Sequence, residues 1–323
     1  MSDIVRVRAG NPVYAVKKYY RNNKKRIDKN FFVFSFLVLP IVLFCIFYIY
    51  VNLDSFVMAF KNIGTLEDGS VGEYWTLDNF KNIGDILKSN GKDLGILAES
   101  VVNTLLFNAV NLLLVLPTTT LICYFISKKI FGYRFFRAVY YLPCVITSSA
   151  LVILFKIALN DGGPLDVISR QMGWNYVYPL SEEPNAIITI LIYNFLFGLG
   201  GNIIVLGGAM RSINQDMLEA GQIDGCNWIQ EFLYLIIPSI WPTISTILIL
   251  SAAGFLGATG PILPFTEGKY GTMTLAFYNF ALVSGKGSAK TDYYLASAIG
   301  LCMTAISFPL ALLVKKIVYG KEK

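Results

Sequence analysis

The chain has 323 residues, of which 55% are hydrophobic and only 15% are charged, and its formal net charge is +6. Soluble domains usually carry about a quarter charged residues. Apolarity this high, gathered into runs of about 20 residues, excludes one large soluble core and indicates membrane spans. The sequence has no histidine, which excludes His-based acid–base catalysis and most zinc sites.

The sequence begins with a basic arm, residues 1–30, that holds nine Lys or Arg residues. The first apolar run follows at about 31–51. This run is too long for the hydrophobic region of a cleaved signal peptide, and no small-residue cleavage site follows it. We therefore expect a retained first membrane span, preceded by a separate N-terminal arm.

Six apolar runs are each long enough to cross a hydrocarbon layer of about 30 Å at about 1.5 Å per residue. They lie at about 31–51, 101–126, 139–157, 186–210, 236–258 and 293–314. Pro117, Pro143 and Pro309 lie inside these runs, where helices often bend. The pattern predicts an all-α integral membrane protein with six transmembrane helices.

The loops between the runs differ in charge. The basic arm, the 127–138 loop and the C-terminal tail are rich in Lys and Arg, whereas segment 54–99 carries eight acidic residues against four lysines. All three basic segments lie on one side of a six-span path, so both termini are expected in the cytoplasm. The net charge then reflects membrane topology and indicates no nucleic-acid partner. Segments 52–100, 158–185 and 259–292 are expected to be external.

Two of these external segments have distinctive sequences. The stretch NIGTLEDGSVGEYWTLDNF, within 52–100, is polar and turn-rich and predicts short irregular structure with a little helix. The 259–292 loop begins TGPILPFTEG, and its length is typical of a functional or a disordered segment. No cysteine pair has metal-ligand spacing, so we expect no metal site.

A polar stripe lies inside the second predicted span. Thr104, Asn108 and Asn111 recur at helical spacing on one face, and the fourth span carries Asn194. Two interpretations are open: a pathway for a polar, uncharged solute, or hydrogen bonds between helices. No carboxylate lies at mid-span depth, and this argues against coupling to an ion gradient.

The segment between the fourth and fifth runs, residues 211–238, is acidic and is divided by a glycine. Asp216 and Glu219 have the spacing of a capping box, and Gly225 can adopt the left-handed conformation that ends a helix. The pattern predicts a helix, a glycine turn and a second helix. Apolar side chains for docking on a partner are expected at Met217, Leu218, Ile223 and Trp228. A self-packed elbow is the alternative.

This segment carries a family resemblance. The stretch LGGAMRSINQDMLEAGQIDGCNWIQEFLYLIIPSIWPT resembles the signature loop of permeases of binding-protein-dependent ABC importers, in particular the carbohydrate, maltose-type branch. Matching residues of that pattern are Glu219, Ala220, Asp224, Gly225, Gln230, Phe232 and Pro238. The sequence departs from it where Gly221 and Cys226 replace alanines, Ile237 replaces leucine and Asn214 replaces proline. TLDNF, NTLLF, YRFFRAVYYLP and ATGPILPFTEG also resemble family elements, and only the basic arm lacks a counterpart.

The resemblance implies the type I ABC importer permease fold for residues 31–323, with alternating access driven by a separate ATPase. In that family, the short helix of the signature loop sits in a cleft of the ATPase. Carried over, the ATPase-coupling element consists of Glu219, Ala220, Gly221, Asp224 and Gly225. The sequence has no GxxxxGK[ST] phosphate loop, so ATP and Mg²⁺ are expected on the partner ATPase. The chain itself is expected to be a translocation subunit without a cofactor, not an enzyme.

The resemblance further implies a cell-membrane assembly with a second permease subunit, two ATPase subunits and an extracellular solute-binding protein facing the 259–292 loop. A heterodimer of permeases is expected, and a homodimer stays open. The solute is expected to be a carbohydrate. A neutral sugar is favoured, because Lys156, at the edge of a span, is the only cation within the spans that could bind an anionic solute.

Two other classes of protein were weighed against a permease subunit. A stand-alone carrier or channel predicts buried carboxylates or a selectivity loop. A membrane-embedded enzyme predicts a nucleophile near an oriented base. The sequence shows neither feature.

Overall fold

The computed structural model describes residues 29, 32–65, 70–88, 92–174, 176–285 and 292–320. Apart from Lys29, the predicted basic arm 1–30 lies outside these residues, as do Lys321 and Lys323 of the tail. The chain divides into two compact units, Met1–Met58 and Ala59–Lys323.

The first unit is formed by helix α1. This helix spans Phe32–Ala59, reaches a mean hydropathy of 2.8 and passes through a π-helical segment at Cys45–Tyr50. It continues beyond the predicted end at residue 51. Its apolar side chains are exposed along the helix, which fits a helix whose solvent is lipid.

The second unit opens with a β-hairpin and a short helix. Strands β1 (Lys61–Thr65) and β2 (Val71–Trp75) pair antiparallel, and helix α2 spans Asp78–Lys88. The buried Asn79 donates from Nδ2 to the carbonyls of Ala59 and Lys61, at 3.0 and 2.8 Å. The predicted short helix is confirmed, but the prediction of irregular structure is wrong for the strands, because distant contacts of this kind select the hairpin.

The hairpin is also tied to the last helix of the chain. Glu73, on β2, accepts hydrogen bonds from Lys61 Nζ at 2.9 Å and from Tyr294 Oη at 2.8 Å. These bonds, the lysine first, hold the pKa of the Glu73 carboxyl below its ordinary value.

Helix α3 contains the polar stripe. It consists of Lys92–Val110, a π-helical segment at Asn111–Val115 and Leu116–Ser127. It begins well before residue 101, the predicted start. Pro117 lies in the first turn after the π-helical segment. The wider hydrogen-bond pattern of that segment accommodates the N–H that proline lacks.

The predicted third span, 139–157, is not one straight helix. Helices α4, α5 and α6 occupy Tyr133–Val145, Ser148–Leu159 and Pro164–Gln171. The chain bends by 106° between the first of these helices and the other two. Ile146 and Thr147 have extended backbones, with ψ of 139° and 136°. Hydroxyl residues at 147–149 favour helix ends over helix interiors, which explains the break.

The remaining helices agree more closely with the predicted runs. Helices α7, α8 and α9 are Asn185–Arg211, Gln215–Ile223 and Trp228–Ala253, the last with a π-helical segment at Glu231–Ile236. A 3₁₀ turn at Phe255–Gly257 leads to α10 (Ile262–Phe265), α11 (Leu275–Ser284) and α12 (Tyr293–Tyr319). The 259–292 segment thus contains two helices, where a loop was predicted.

Among the described residues, five helices are long and apolar enough to cross a membrane, or six if the bent α4–α6 segment counts as one span. The all-α membrane fold is confirmed. The cytoplasmic placement of both termini stays a prediction.

Two hydrophobic clusters stabilise the second unit. The first core cluster includes Phe107, Ile190, Tyr193 and Phe277. The second core cluster joins the end of α3, the end of α7 and the start of α9, and its most buried members include Tyr124, Leu206, Ile236 and Ile240. The second cluster lies against α8 and provides a rigid base for the acidic segment.

Candidate functional site

The acidic segment forms the predicted helix, turn and helix, but its first cap differs from the prediction. Asn214 caps α8, since its side chain accepts a hydrogen bond from the Asp216 N–H at 3.0 Å. The predicted capping box between Asp216 and Glu219 is wrong, because the helix begins two residues earlier. Asn214, a departure from the family pattern, thus replaces one helix-starting residue with another.

The turn after α8 requires its glycine. Gly225 has φ of +77°, in the left-handed region, and Cys226 N–H donates to the Gly221 carbonyl at 3.0 Å. A Cβ built on Gly225 would meet nothing within 4 Å. The glycine is therefore needed for backbone conformation alone, and the predicted left-handed turn is confirmed.

The second helix starts with a capping box that was not predicted. Asn227 N–H donates to Gln230 Oε1 at 2.9 Å, and Gln230 N–H donates to Asn227 Oδ1 at 2.8 Å. Asn followed three residues later by Gln is the local signal that could have found it.

Helix α8 packs closely against α9. Gly221 is buried, and a Cβ placed on it would lie 2.5 Å from Cδ1 of Leu235. This contact explains why glycine occupies the position where the family pattern has alanine. The small residue thus lets the two helices approach closely.

Aromatic rings join the start of α9 to the end of α3. The ring centroids of Trp228 and Phe125 are 5.8 Å apart, and those of Phe232 and Tyr124 are 5.3 Å apart. Both distances suit favourable aromatic pairing.

An ion pair reinforces this junction. Lys128, just after α3, donates from Nζ to Oε2 of Glu231 at 2.7 Å. Glu231 is 4% exposed, and Lys128 Nζ also lies 5.9 Å from the centre of the Tyr124 ring. This pair was not predicted, because no local pattern connects residues 103 positions apart.

The structure divides the predicted docking residues into two groups. Ile223 is 85% exposed and Trp228 is 52% exposed, whereas Met217 and Leu218 are half-buried and pack against the second core cluster. Of the predicted coupling residues, Gly221 is buried. The exposed members are Glu219, Ala220, Asp224 and Gly225. One side of the α8 elbow is therefore self-packed, and the other side is open.

The predicted solute residues are also divided. A cavity of about 650 Å³ lies among α3, α7, α9 and α12, and Asn108 and Asn111 line it together with Asn202 and Ser251. Thr104 does not line this cavity. Its hydroxyl is buried, donates to the Ser100 carbonyl and accepts from Leu275 N–H at 2.9 Å.

The N-terminal part of the polar stripe, together with the neighbouring Asn103, holds the segment after α9 in place. The Nδ2 of Asn103 donates to the carbonyls of Gly271 and Met273, at 2.8 and 2.9 Å. Asn108 donates to the Phe255 carbonyl at 2.7 Å. The hydrogen-bonding interpretation is therefore confirmed for Thr104, whereas Asn108 both bonds to the segment after α9 and lines the cavity.

Asn111, the remaining residue of the stripe, and Asn194 connect α3 to α7. Asn194 Nδ2 donates to Asn111 Oδ1 at 2.9 Å; Asn111 is exposed and Asn194 is half-buried. Among the described residues, no group of three or more His, Cys, Asp or Glu is placed to hold a metal ion.

Comparison with known proteins gives a consistent result. Residues 94–319 match the model of the family described as binding-protein-dependent transport system inner membrane component. The multiple sugar-binding transport system permease protein MsmF of Streptococcus mutans is 25% identical over 87% of this chain and 93% of its own length. The arabinooligosaccharides transport system permease protein AraP of Bacillus subtilis is 20% identical over 86% of each chain.

Two solved structures share the fold. One is a bacterial ABC transporter involved in the import of the acidic polysaccharide alginate, with a TM-score of 0.76 and 21% identity over 94% of this chain and all of that chain. The other is a bacterial alginate ABC transporter in complex with an alginate pentasaccharide-bound periplasmic protein. It has a TM-score of 0.72 and 22% identity, covering 90% of this chain and 94% of that chain.

Proposed function

Because this chain belongs to the family of inner membrane components of binding-protein-dependent transport systems, we propose that it is the permease subunit of an ATP-driven carbohydrate importer. A separate ATPase drives its alternating access through the acidic segment. The family consists of membrane translocation components rather than enzymes. One observation carries the ATPase-coupling proposal: one side of helix α8 is exposed, and the other side packs against α9 and the second core cluster.

The open side supplies the docking surface. Glu219 and Asp224 offer carboxylates, and Ile223 and Trp228 offer exposed apolar area. Mixed apolar and charged surfaces of this kind suit a protein partner. The partner proposed here is the ATPase, with ATP and Mg²⁺ bound on that subunit.

The packed side transmits motion towards the cavity. Gly221 joins α8 to α9, while the Trp228–Phe125 ring contact and the Lys128–Glu231 ion pair join α9 to α3. Both α3 and α9 contribute walls to the 650 Å³ cavity. A displacement of α8 would therefore move α3 and α9, which form two walls of the proposed solute pathway, as rigid bodies.

The chemistry of this cavity supports a neutral carbohydrate. Its polar lining consists of amides and hydroxyls, and no Lys, Arg, Asp or Glu is among its described lining residues. Lys156, the cation considered for an anionic solute, donates to the carbonyls of Pro264 and Phe265, at 3.1 and 3.0 Å. The solute pathway proposed here includes Asn108 and Asn111 of this lining, together with Asn194, which does not line the cavity but hydrogen-bonds to Asn111.

The proposed assembly contains a second, different permease subunit, two ATPase subunits and an external solute-binding protein. The excess of Lys and Arg in the arm, the 127–138 loop and the tail supports cytoplasmic termini. The 259–292 segment would then face the binding protein.

The test compares two glycine substitutions in the transporter purified with its partner subunits and reconstituted in liposomes. Gly225→Ala and Gly173→Ala both place a Cβ at positive φ, +77° and +75°, in open space, so their local backbone costs match at about 1–2 kcal/mol. Only Gly225→Ala should lower sugar uptake per ATP hydrolysed, because only Gly225 shapes the coupling turn.

A charge reversal provides the second arm. Glu219→Lys should uncouple ATP hydrolysis from uptake, whereas Glu182→Lys, on another exposed loop, should not. Normal uptake by both the Gly225→Ala and Glu219→Lys variants at normal expression would refute the coupling role. Uptake by this chain without any ATPase would instead support a stand-alone carrier.

A further inference from the structure

A second cavity, of about 540 Å³, lies where α3, α4, α7 and α8 meet. Its lining is rich in cations. The basic residues around it are Lys128, Lys129, Arg137 and Arg211. Glu219 is the single carboxylate among its described lining residues. The two cavities therefore differ sharply in chemistry, since the solute cavity has no charged residue among its described lining residues.

Most of this positive charge is not neutralised by the protein. Lys128 is paired with Glu231. For Lys129, Arg137 and Arg211, no carboxylate of the described residues lies within the 4.0 Å of an ion pair. Three cations thus share a cavity with one acid, which leaves an excess of about two positive charges that attracts anions.

The cavity lies at the end of membrane-crossing helices. Ser127 is the last residue of α3 and Arg211 is the last residue of α7, and both helices are long and apolar enough to span a membrane. In the sequence, Phe131 and Phe135 lie between lining residues of the cavity, and they are 101% and 69% exposed. Exposed aromatic rings next to basic side chains are typical of a surface at the level of lipid headgroups.

We propose that this cavity is a binding site for a phosphate group. The planar guanidinium groups of Arg137 and Arg211 suit the paired oxygens of a phosphate. Tyr141 adds a hydroxyl donor to the lining. Basic pockets between membrane helices are a recurring site for anionic lipid headgroups, and a free phosphate ion offers the same chemistry from solution.

A phosphate bound here would lie next to the proposed coupling element. Glu219 and Gln222, both on α8, belong to the lining. The binding site itself does not depend on the proposed function. Its influence on transport does, since that influence requires α8 to couple to an ATPase.

The test is native mass spectrometry of the purified full chain in detergent, titrated with phosphatidylglycerol or phosphatidylcholine. The wild type should bind phosphatidylglycerol preferentially. Arg137→Gln and Arg211→Gln should each weaken that binding about tenfold, as expected for loss of a charged hydrogen-bonding partner. Arg134→Gln is the matched control, because Arg134 lies on the same helix as Arg137 but bonds to the Tyr133 hydroxyl at 3.2 Å and does not line the cavity.

Inorganic phosphate distinguishes the two sources of the ligand. Displacement of phosphatidylglycerol by millimolar phosphate would support a site open to soluble anions, and retention of the lipid would support a headgroup site. If an arginine variant fails to fold, the same titration is done with Lys129→Gln. Lys129 lies at an exposed position outside the helices, so this change should not disturb folding. Equal lipid binding by all variants, or equal loss in Arg134→Gln, would overturn the proposal. Because no transport is measured, these outcomes are independent of the importer function.

Discussion

The ion pair between Lys128 and Glu231 allows a quantitative test of how α9 is attached to α3. In Lys128→Met, the side chain keeps similar length and apolar bulk but loses its charge. The Glu231 carboxylate, 4% exposed, then has no cation to offset its burial. Breaking a fully buried pair by removing one partner costs about 3–5 kcal/mol.

The expected cost is smaller here, because one end of the pair reaches water. The Lys128 side chain is 28% exposed, so solvent screens part of the interaction, and we expect a loss of about 2–3 kcal/mol in the free energy of unfolding. The double variant Lys128→Met/Glu231→Met removes both charges and should recover most of this loss. The measurement is thermal unfolding of the detergent-purified protein, analysed as a double-mutant cycle.

A matched pair on the hairpin provides the control. Lys61 and Glu73 are 2.9 Å apart, but the Glu73 side chain is 49% exposed. Lys61→Met should therefore cost less than about 1 kcal/mol. The reasoning would be refuted if Lys128→Met cost no more than Lys61→Met, or if the double variant were as unstable as the sum of its single variants.

Three further predictions concern the hairpin and the contacts of α3 with the segment after α9. Thr104→Val leaves the buried N–H of Leu275 without its 2.9 Å acceptor and should lower thermal stability by about 1–3 kcal/mol, whereas an unchanged melting temperature would contradict this. Gly260→Ala should cost at least about 2 kcal/mol in the same assay, because φ is +55° and the new Cβ would lie 2.8 Å from the Phe107 ring. The depressed pKa of Glu73 means that its stabilising contribution is complete above its unfolded pKa, about 4.3, and is lost as pH falls through the lower folded pKa. Amide hydrogen exchange of β2 should therefore lose protection below about pH 4, and protection independent of pH would argue against it.

Much of the membrane architecture could be predicted from the sequence, because length and apolarity are local properties. The run predicted at 186–210 differs from helix Asn185–Arg211 by one residue at each end. The hairpin could not be predicted, since it depends on Asn79 binding carbonyls about 20 residues away. The break between α4 and α5 was missed because the three hydroxyl residues at 147–149 interrupt the apolar run only briefly.

The same distinction applies to the candidate site. The turn at Gly225 was predicted correctly, since a positive φ favours glycine wherever it occurs. The cap of α8 was misplaced, because Asn214 and Asp216 are both good caps and the choice depends on where α7 ends. The Lys128–Glu231 contact exists only after α3 and α9 have packed together, so no sequence window contains it.

Helices α3 and α9, which both line the solute cavity, each contain a π-helical segment. Asn111–Val115 and Glu231–Ile236 each precede a proline, at Pro117 and Pro238. A π-helical turn stores one residue more than an α-helical turn. Shifting that extra residue along the helix turns the preceding segment by about 100° and advances it by about 1.5 Å. In α3 this turn lies inside the long apolar helix Gly95–Ser127, and in α9 it lies near the start of Trp228–Ala253, so the same one-residue shift would reorient half of the first helix but only the first turns of the second.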